Sequence, residues 1–123
     1  MREVWEKYLE TIYELKMEKG YVKPVDIAQR LGIKPSSVTE MLQKLARKGF
    51  IHYEKYRLVD LTEIGLEIAE RLEERHLALK ELLLYIGVSE ETADRDACEM
   101  EHILSTETIE KVKEFMRRRR KKL

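Results

Sequence analysis

Cys98, Glu101 and His102 stand at i, i+3 and i+4 within the run Asp94-Arg95-Asp96-Ala97-Cys98-Glu99-Met100-Glu101-His102. On a helix, that spacing lays a thiol, a carboxylate and an imidazole along one stripe, with Asp94 one turn earlier on it. These are ligand types for a divalent transition metal. Taken alone, a C-x-x-E-H run reads more often as a small core cysteine beside a solvated charged face. What the rest of the chain builds around it decides between the two.

A chain of 123 residues makes one compact unit, or two small subdomains sharing a helix. Apolar residues at 43% suffice for a core, while 39% charged exceeds the usual quarter and suits a helical protein with a partner subunit. The single cysteine excludes an intramolecular disulfide and fits a reducing cytoplasm. No run approaches the ~20 apolar residues of a membrane span, so a soluble, cytoplasmic protein is expected, with no membrane partner. The net charge of zero hides an asymmetry. Residues 1–62 hold 12 Lys and Arg against 9 Asp and Glu, residues 63–116 hold 6 against 15, and Arg117 to Lys122 are all basic. A basic front suits a phosphate-bearing partner, and an acidic middle suits a cation.

The elements that must position these groups follow in order. Val4, Tyr8, Ile12 and Leu15 predict a helix over residues 3–18, stopped by Gly20. A short helix from Val25 to Leu31 ends at Gly32. After a turn, Pro35 opens another from about Ser36 to Lys48, with Val38, Met41, Leu42 and Leu45 inward. Two short helices about a glycine turn make a helix-turn-helix. Phe50–Glu54 and Arg57–Thr62 read as strands turning at Lys55-Tyr56, which adds a wing. Lys34, Ser36, Ser37, Thr39, Gln43 and Arg47 around the second helix, with Lys55 and Arg57 on the wing, are the candidate DNA contacts. Thr62 caps a long helix from Glu63 to about Tyr85, whose stripe is Ile64, Ile68, Leu72, His76, Leu79 and Leu83. Ser89-Glu90-Glu91 opens the helix of the Cys98 cluster. Ser105 or Thr106 caps the last helix, whose basic end is expected to be frayed and solvated.

Lys34-Pro35-Ser36-Ser37-Val38-Thr39, the wing Tyr53-Glu54-Lys55-Tyr56-Arg57 and the pair Arg75-His76 resemble the manganese transport regulators. Ala97-Cys98-Glu99-Met100-Glu101-His102 looks more like the diphtheria toxin repressor, the iron-sensing relative. The similarity runs in order from about Tyr8 to Ser105 and is to the short, two-domain branch of these metal-dependent repressors. It implies a mainly α protein: a winged helix-turn-helix DNA-binding domain over residues 1–62, then an all-α dimerisation and metal-binding domain over residues 63–123. It also implies the metal ligands Glu10, His76, Cys98, Glu101 and His102. One ligand position departs: Lys7 stands where the manganese branch has aspartate and the iron branch methionine, and an ammonium cannot ligate. Asp94 aligns with a histidine of the iron branch's second site, and Lys80 with a nearby glutamate. Asp94 and Glu6 are therefore further candidates in a rearranged site.

The function expected is that of a homodimeric transcriptional repressor, not an enzyme. It would bind a palindromic double-stranded DNA operator when Fe(II) or Mn(II) binds, and control metal-uptake genes. The Cys98 thiolate softens the site toward Fe(II) and other divalent transition metals. Two other classes compete: a winged-helix regulator sensing redox state through Cys98, and a metal hydrolase, for which no substrate pocket or separate general base is visible.

Overall fold

The computed structural model describes residues 2–54 and 57–121, and its contacts divide the chain into two compact units, residues 1–70 and 71–123. The expected wing-tip residues Lys55 and Tyr56, and Lys122 of the basic end, lie outside the described residues.

The first unit holds α1 (Arg2–Lys19), α2 (Pro24–Leu31), α3 (Pro35–Arg47), β1 (Ile51–His52), β2 (Asp60–Leu61) and the opening turns of α4 (Glu63–Tyr85). Leu9, Ile12 and Leu15 of α1, Ile27 of α2, and Val38, Leu42 and Leu45 of α3 form its buried core with Val22, Ile51 and Val59. Each such aliphatic side chain contributes about 1.5–3 kcal/mol of transfer free energy on burial. Trp5 and Phe50 stack at the edge of this core, ring centroids 5.3 Å apart. Both α2 and α3 begin with proline, whose missing N–H would be an orphan at that position anyway. Asp26 accepts the Lys23 backbone N–H at 3.2 Å, and the hydrogen bond from the Lys19 ammonium holds its carboxyl below the ordinary carboxylate range. Gly32 ends α2 at φ 65°, the left-handed conformation that turns the chain into α3. The result is the winged helix-turn-helix expected.

The wing strands are shorter than the expected Phe50–Glu54 and Arg57–Thr62. Two antiparallel pairs, Ile51 with Leu61 and His52 with Asp60, make the whole ladder among the described residues. Backbone hydrogen bonding explains the truncation: the Val59 N–H donates to the Val22 carbonyl at 2.9 Å, and the Arg57 N–H turns back to Glu54 at 2.9 Å. Those donors serve the α1–α2 loop and a local turn, so the pairing goes no further. Thr62 caps α4 as expected. Its hydroxyl accepts from the Gly65 N–H at 3.1 Å and donates to the Gly49 carbonyl at 2.7 Å.

The second unit is all helical: the rest of α4, α5 (Glu90–Ile103) and α6 (Thr106–Lys121). Leu79, Ala97 and Ile109, one from each helix, form its centre, with Leu83, Met100, Leu104 and Val112 around them. Ser89 caps α5 by accepting the Thr92 N–H, and of the two expected caps of α6 it is Ser105 that accepts, from Thr108. On α4 the expected stripe holds at Leu72 and Leu79 but fails at Ile64, which is 56% exposed while Gly65 and Ala69 turn inward. The basic end is also not the frayed run expected. It is helical through Lys121, with Arg120 paired to Glu81 at 2.6 Å and the Arg119 guanidinium 3.7 Å from the Tyr85 ring centre. Partners on α4 supply the charge compensation that the run lacks by itself. No helix among the described residues is long and apolar enough to cross a membrane.

Candidate metal centre and nucleic-acid interface

In the second unit a buried carboxylate sits between two imidazoles. Glu101 is fully buried; its Oε2 lies 3.0 Å from His76 Nδ1, and its Oε1 lies 3.2 Å from His102 Nε2. The i, i+1 placement of Glu101 and His102 on α5, facing His76 of α4, brings the three together. The other face of the His76 ring meets Asp94, with Nε2 2.9 Å from Oδ1. Burying a carboxylate demands positive partners, and here the first of them is His76. The Glu101 hydrogen bond, then that of Asp94, raises the His76 pKa from 6.5 to about 9. The same contact, reinforced by Lys80, holds the Asp94 carboxyl below its ordinary range.

Cys98 is half-buried on α5, one turn before Glu101 and His102. Glu10 belongs to the first unit, where it is only 5% exposed on α1, with a carboxylate oxygen within 4.8 Å of one from Glu14. Glu6 and Lys7, on the same helix, are half-buried. The structure thus brings His76, Glu101, His102 and Asp94 together within one unit. Two imidazoles and a buried carboxylate are a donor set that fits a divalent transition metal. They also resemble the outer hydrogen-bonding shell that orients metal-binding histidines.

One contributor escapes sequence reasoning. Arg75, adjacent to His76, donates to the backbone carbonyls of Glu101 at 3.1 Å and Leu104 at 3.4 Å, and to the Thr106 hydroxyl at 3.1 Å. A guanidinium fork thereby satisfies carbonyls at the C-terminus of α5 and fixes the register of the residues carrying the carboxylate. The Arg75-His76 pair carries part of the family resemblance, but nothing in the local sequence says which groups the guanidinium serves.

The candidate DNA contacts cluster on α3. Lys34, Ser36, Ser37, Gln43 and Arg47 are exposed, on the side away from Val38, Leu42 and Leu45. Thr39 is half-buried, and its hydroxyl donates to the Pro35 carbonyl at 3.1 Å, which ties it to its own helix. On the wing Arg57 is 75% exposed and pairs with Glu54 at 3.2 Å. Hydroxyls, an amide and cations on one exposed helix face, beside an exposed wing arginine, suit phosphate and base edges.

Residues 1–59 match the family profile of the iron-dependent repressor N-terminal DNA-binding domain, and residues 62–122 that of the iron-dependent repressor metal-binding and dimerisation domain. The chain belongs to the iron-dependent repressor family. Within this family, a helix-turn-helix-type transcriptional regulator of Methanocaldococcus jannaschii is 42% identical over 113 residues, covering 90% of each chain. The transcriptional regulator MntR of Geobacillus kaustophilus is 48% identical over 107 residues, covering 87% of this chain and 76% of its own. Among solved structures, IdeR of T. acidophilum superposes with a TM-score of 0.78 at 30% identity, over 90% of this chain and 53% of that one. This chain therefore spans about half the length of that structure. The expected kinship with diphtheria toxin repressor and manganese transport regulators holds, and with it the assignment as a metal-dependent transcriptional regulator.

Proposed function

We propose that the chain is a homodimeric repressor that binds a palindromic operator when Fe(II) or Mn(II) binds at His76, Cys98, Glu101 and His102, and that it controls metal-uptake genes in the cytoplasm. The observation that carries this reading is the buried Glu101 carboxylate between His76 and His102. Glu10 is added to the ligand set on the family resemblance, with Asp94 and Glu6 as further candidates. When bound, the ion supplies the charge compensation that the His76 proton supplies in its absence. Metal binding at these residues is coupled to DNA binding. Coupling of about 1–3 kcal/mol is enough to change operator occupancy several-fold or more. Two recognition helices held roughly 34 Å apart would enter successive major grooves. Leu77, Leu84, Ile86, Ile103 and Phe115, all exposed apolar residues of the second unit, provide the surface for a second copy.

The thiol of Cys98 favours iron over manganese as the native ion. The test is operator binding at fixed salt against a metal panel, for the wild type and for Glu101→Ala and His102→Ala. Metal should tighten binding by the wild type and leave both folded variants unmoved. A variant that still answers to metal would show the ligand set to be wrong. If peroxide, and not metal, moved the wild type, the redox reading of Cys98 would replace this one.

A further inference from the structure

His76 and Lys80 stand one turn apart on α4, and Glu90 and Asp94 stand one turn apart on α5, so the two pairs can face each other. They do so through one oxygen. Asp94 Oδ1 lies 2.9 Å from His76 Nε2 and 3.4 Å from the Lys80 ammonium, which also lies 3.7 Å from Glu90 Oε1. Two carboxylates one turn apart, beside an imidazole, make a place that suits a divalent ion. The cation standing there is instead the chain's own lysine, 24% exposed at its side chain.

We propose that Lys80 is a tethered counter-cation that closes this second seat, so that each subunit takes up a single divalent ion, at the Glu101 cluster. The inference rests on the metal reading above and concerns stoichiometry, which that reading leaves open. An ammonium offers no lone pair to a metal. A divalent ion sharing the Asp94 oxygen with it would meet like charge at close range, in a place where solvent screens it only partly. Lys80 has a second consequence: it clasps α4 to α5 on the Asp94 side whether or not an ion is bound.

The experiment is equilibrium dialysis of the full chain against Mn(II), and separately Co(II), with bound metal measured by atomic emission. Wild type is compared with Lys80→Gln, which removes the charge at similar length, and Lys80→Glu, which supplies a carboxylate. Far-UV circular dichroism confirms the fold of each. One ion per subunit is expected for wild type. A second is expected for Lys80→Glu, bound about tenfold or more tighter than any second ion in the wild type, with Lys80→Gln between them. Two tight ions in the wild type would overturn the inference, as would one ion in all three folded proteins. A wild type that binds none while Lys80→Glu gains one would sink the metal reading of the Glu101 cluster yet uphold the lysine's role. None in any folded protein would end both.

Discussion

His76 Nδ1 stands 3.0 Å from the buried Oε2 of Glu101, and this contact sets the charge state of the cluster. With its pKa raised to about 9, His76 is an imidazolium at neutral pH in the absence of metal. A ligating nitrogen must give up its proton, so metal and proton compete for the ring. Metal affinity should therefore climb with pH up to about 9, and binding near neutrality should release about one proton per ion from His76, besides the one the Cys98 thiol gives up on ligating. Calorimetry in buffers of differing ionisation enthalpy measures both. An affinity that ignored pH across that range would remove His76 from the ligand set.

The same shift predicts how stability varies with pH when no metal is present. A histidine whose folded pKa is raised adds stability that is complete below its ordinary value of 6.5 and is lost as pH rises through about 9. Asp94, with its pKa lowered, acts in the opposite sense: its contribution is present above 3.8 and fades as pH falls below that. Denaturant midpoints should thus decline from near neutral to about pH 9. Glu101→Gln should flatten that decline, because His76 loses the partner that shifts it most. An unchanged slope in the variant would assign the decline to other groups.

Gly65 is required by close approach, not by backbone conformation. A Cβ built there would stand 2.0 Å from the Phe50 carbonyl oxygen, where the first turn of α4 crosses the end of the α3–β1 connection. Gly65→Ala should cost about 1–3 kcal/mol, the usual range for overpacking, even though alanine is the better helix former. Urea unfolding would register this as a lower midpoint. A gain in stability would mean the turn shifts freely.

Arg75→Ala should destabilise the second unit by about 1–3 kcal/mol, since it strips partners from the Glu101 and Leu104 carbonyls and the Thr106 hydroxyl. Lysine should not restore it, because a single ammonium cannot reproduce the fork. Thermal unfolding of the three proteins distinguishes a fork from a simple charge: equal melting of wild type and Arg75→Lys would leave only the charge.

Arg47 and Arg57 are exposed on the recognition helix and the wing. If they touch phosphates, replacing either by alanine weakens operator and random DNA alike and lowers the salt slope of log affinity by about one. Gln43→Ala should instead narrow the gap between operator and random sequence, as loss of a base contact does. Fluorescence anisotropy over a salt series reads all three. An unchanged slope for Arg47→Ala would take that residue off the DNA.

The helices were legible because their signals are local. Pro24, Pro35, Gly32, Thr62 and Ser89 punctuate them, and the apolar spacing of α1 and α3 matches the buried faces found. The wing was legible only as a hairpin. Its strand lengths depended on where the Val59 N–H went, and that partner, Val22, lies far back in the chain. Ile64 was misplaced on the inward face for a related reason: the Phe50 carbonyl fixes the rotation of α4 by admitting only a glycine, which periodicity does not record. The expected fraying of the basic tail failed likewise, though the tail stays largely exposed, because Glu81 and Tyr85 receive Arg120 and Arg119 from another helix.

By itself the sequence determined which residue types were available for metal and DNA, the order of the helices, and the family, since each depends on short-range spacing and residue identity. Only the tertiary structure decided that Glu101 is buried between His76 and His102, that Arg75 serves the end of α5, and that Lys80 stands at Asp94. Those relations depend on how α4 and α5 are rotated and slid against each other. That in turn is set by packing Leu79, Ala97 and Ile109 into one core. A one-residue change in helix phase turns a side chain by about 100°, enough to carry a carboxylate from the core to solvent while leaving every local signal unchanged.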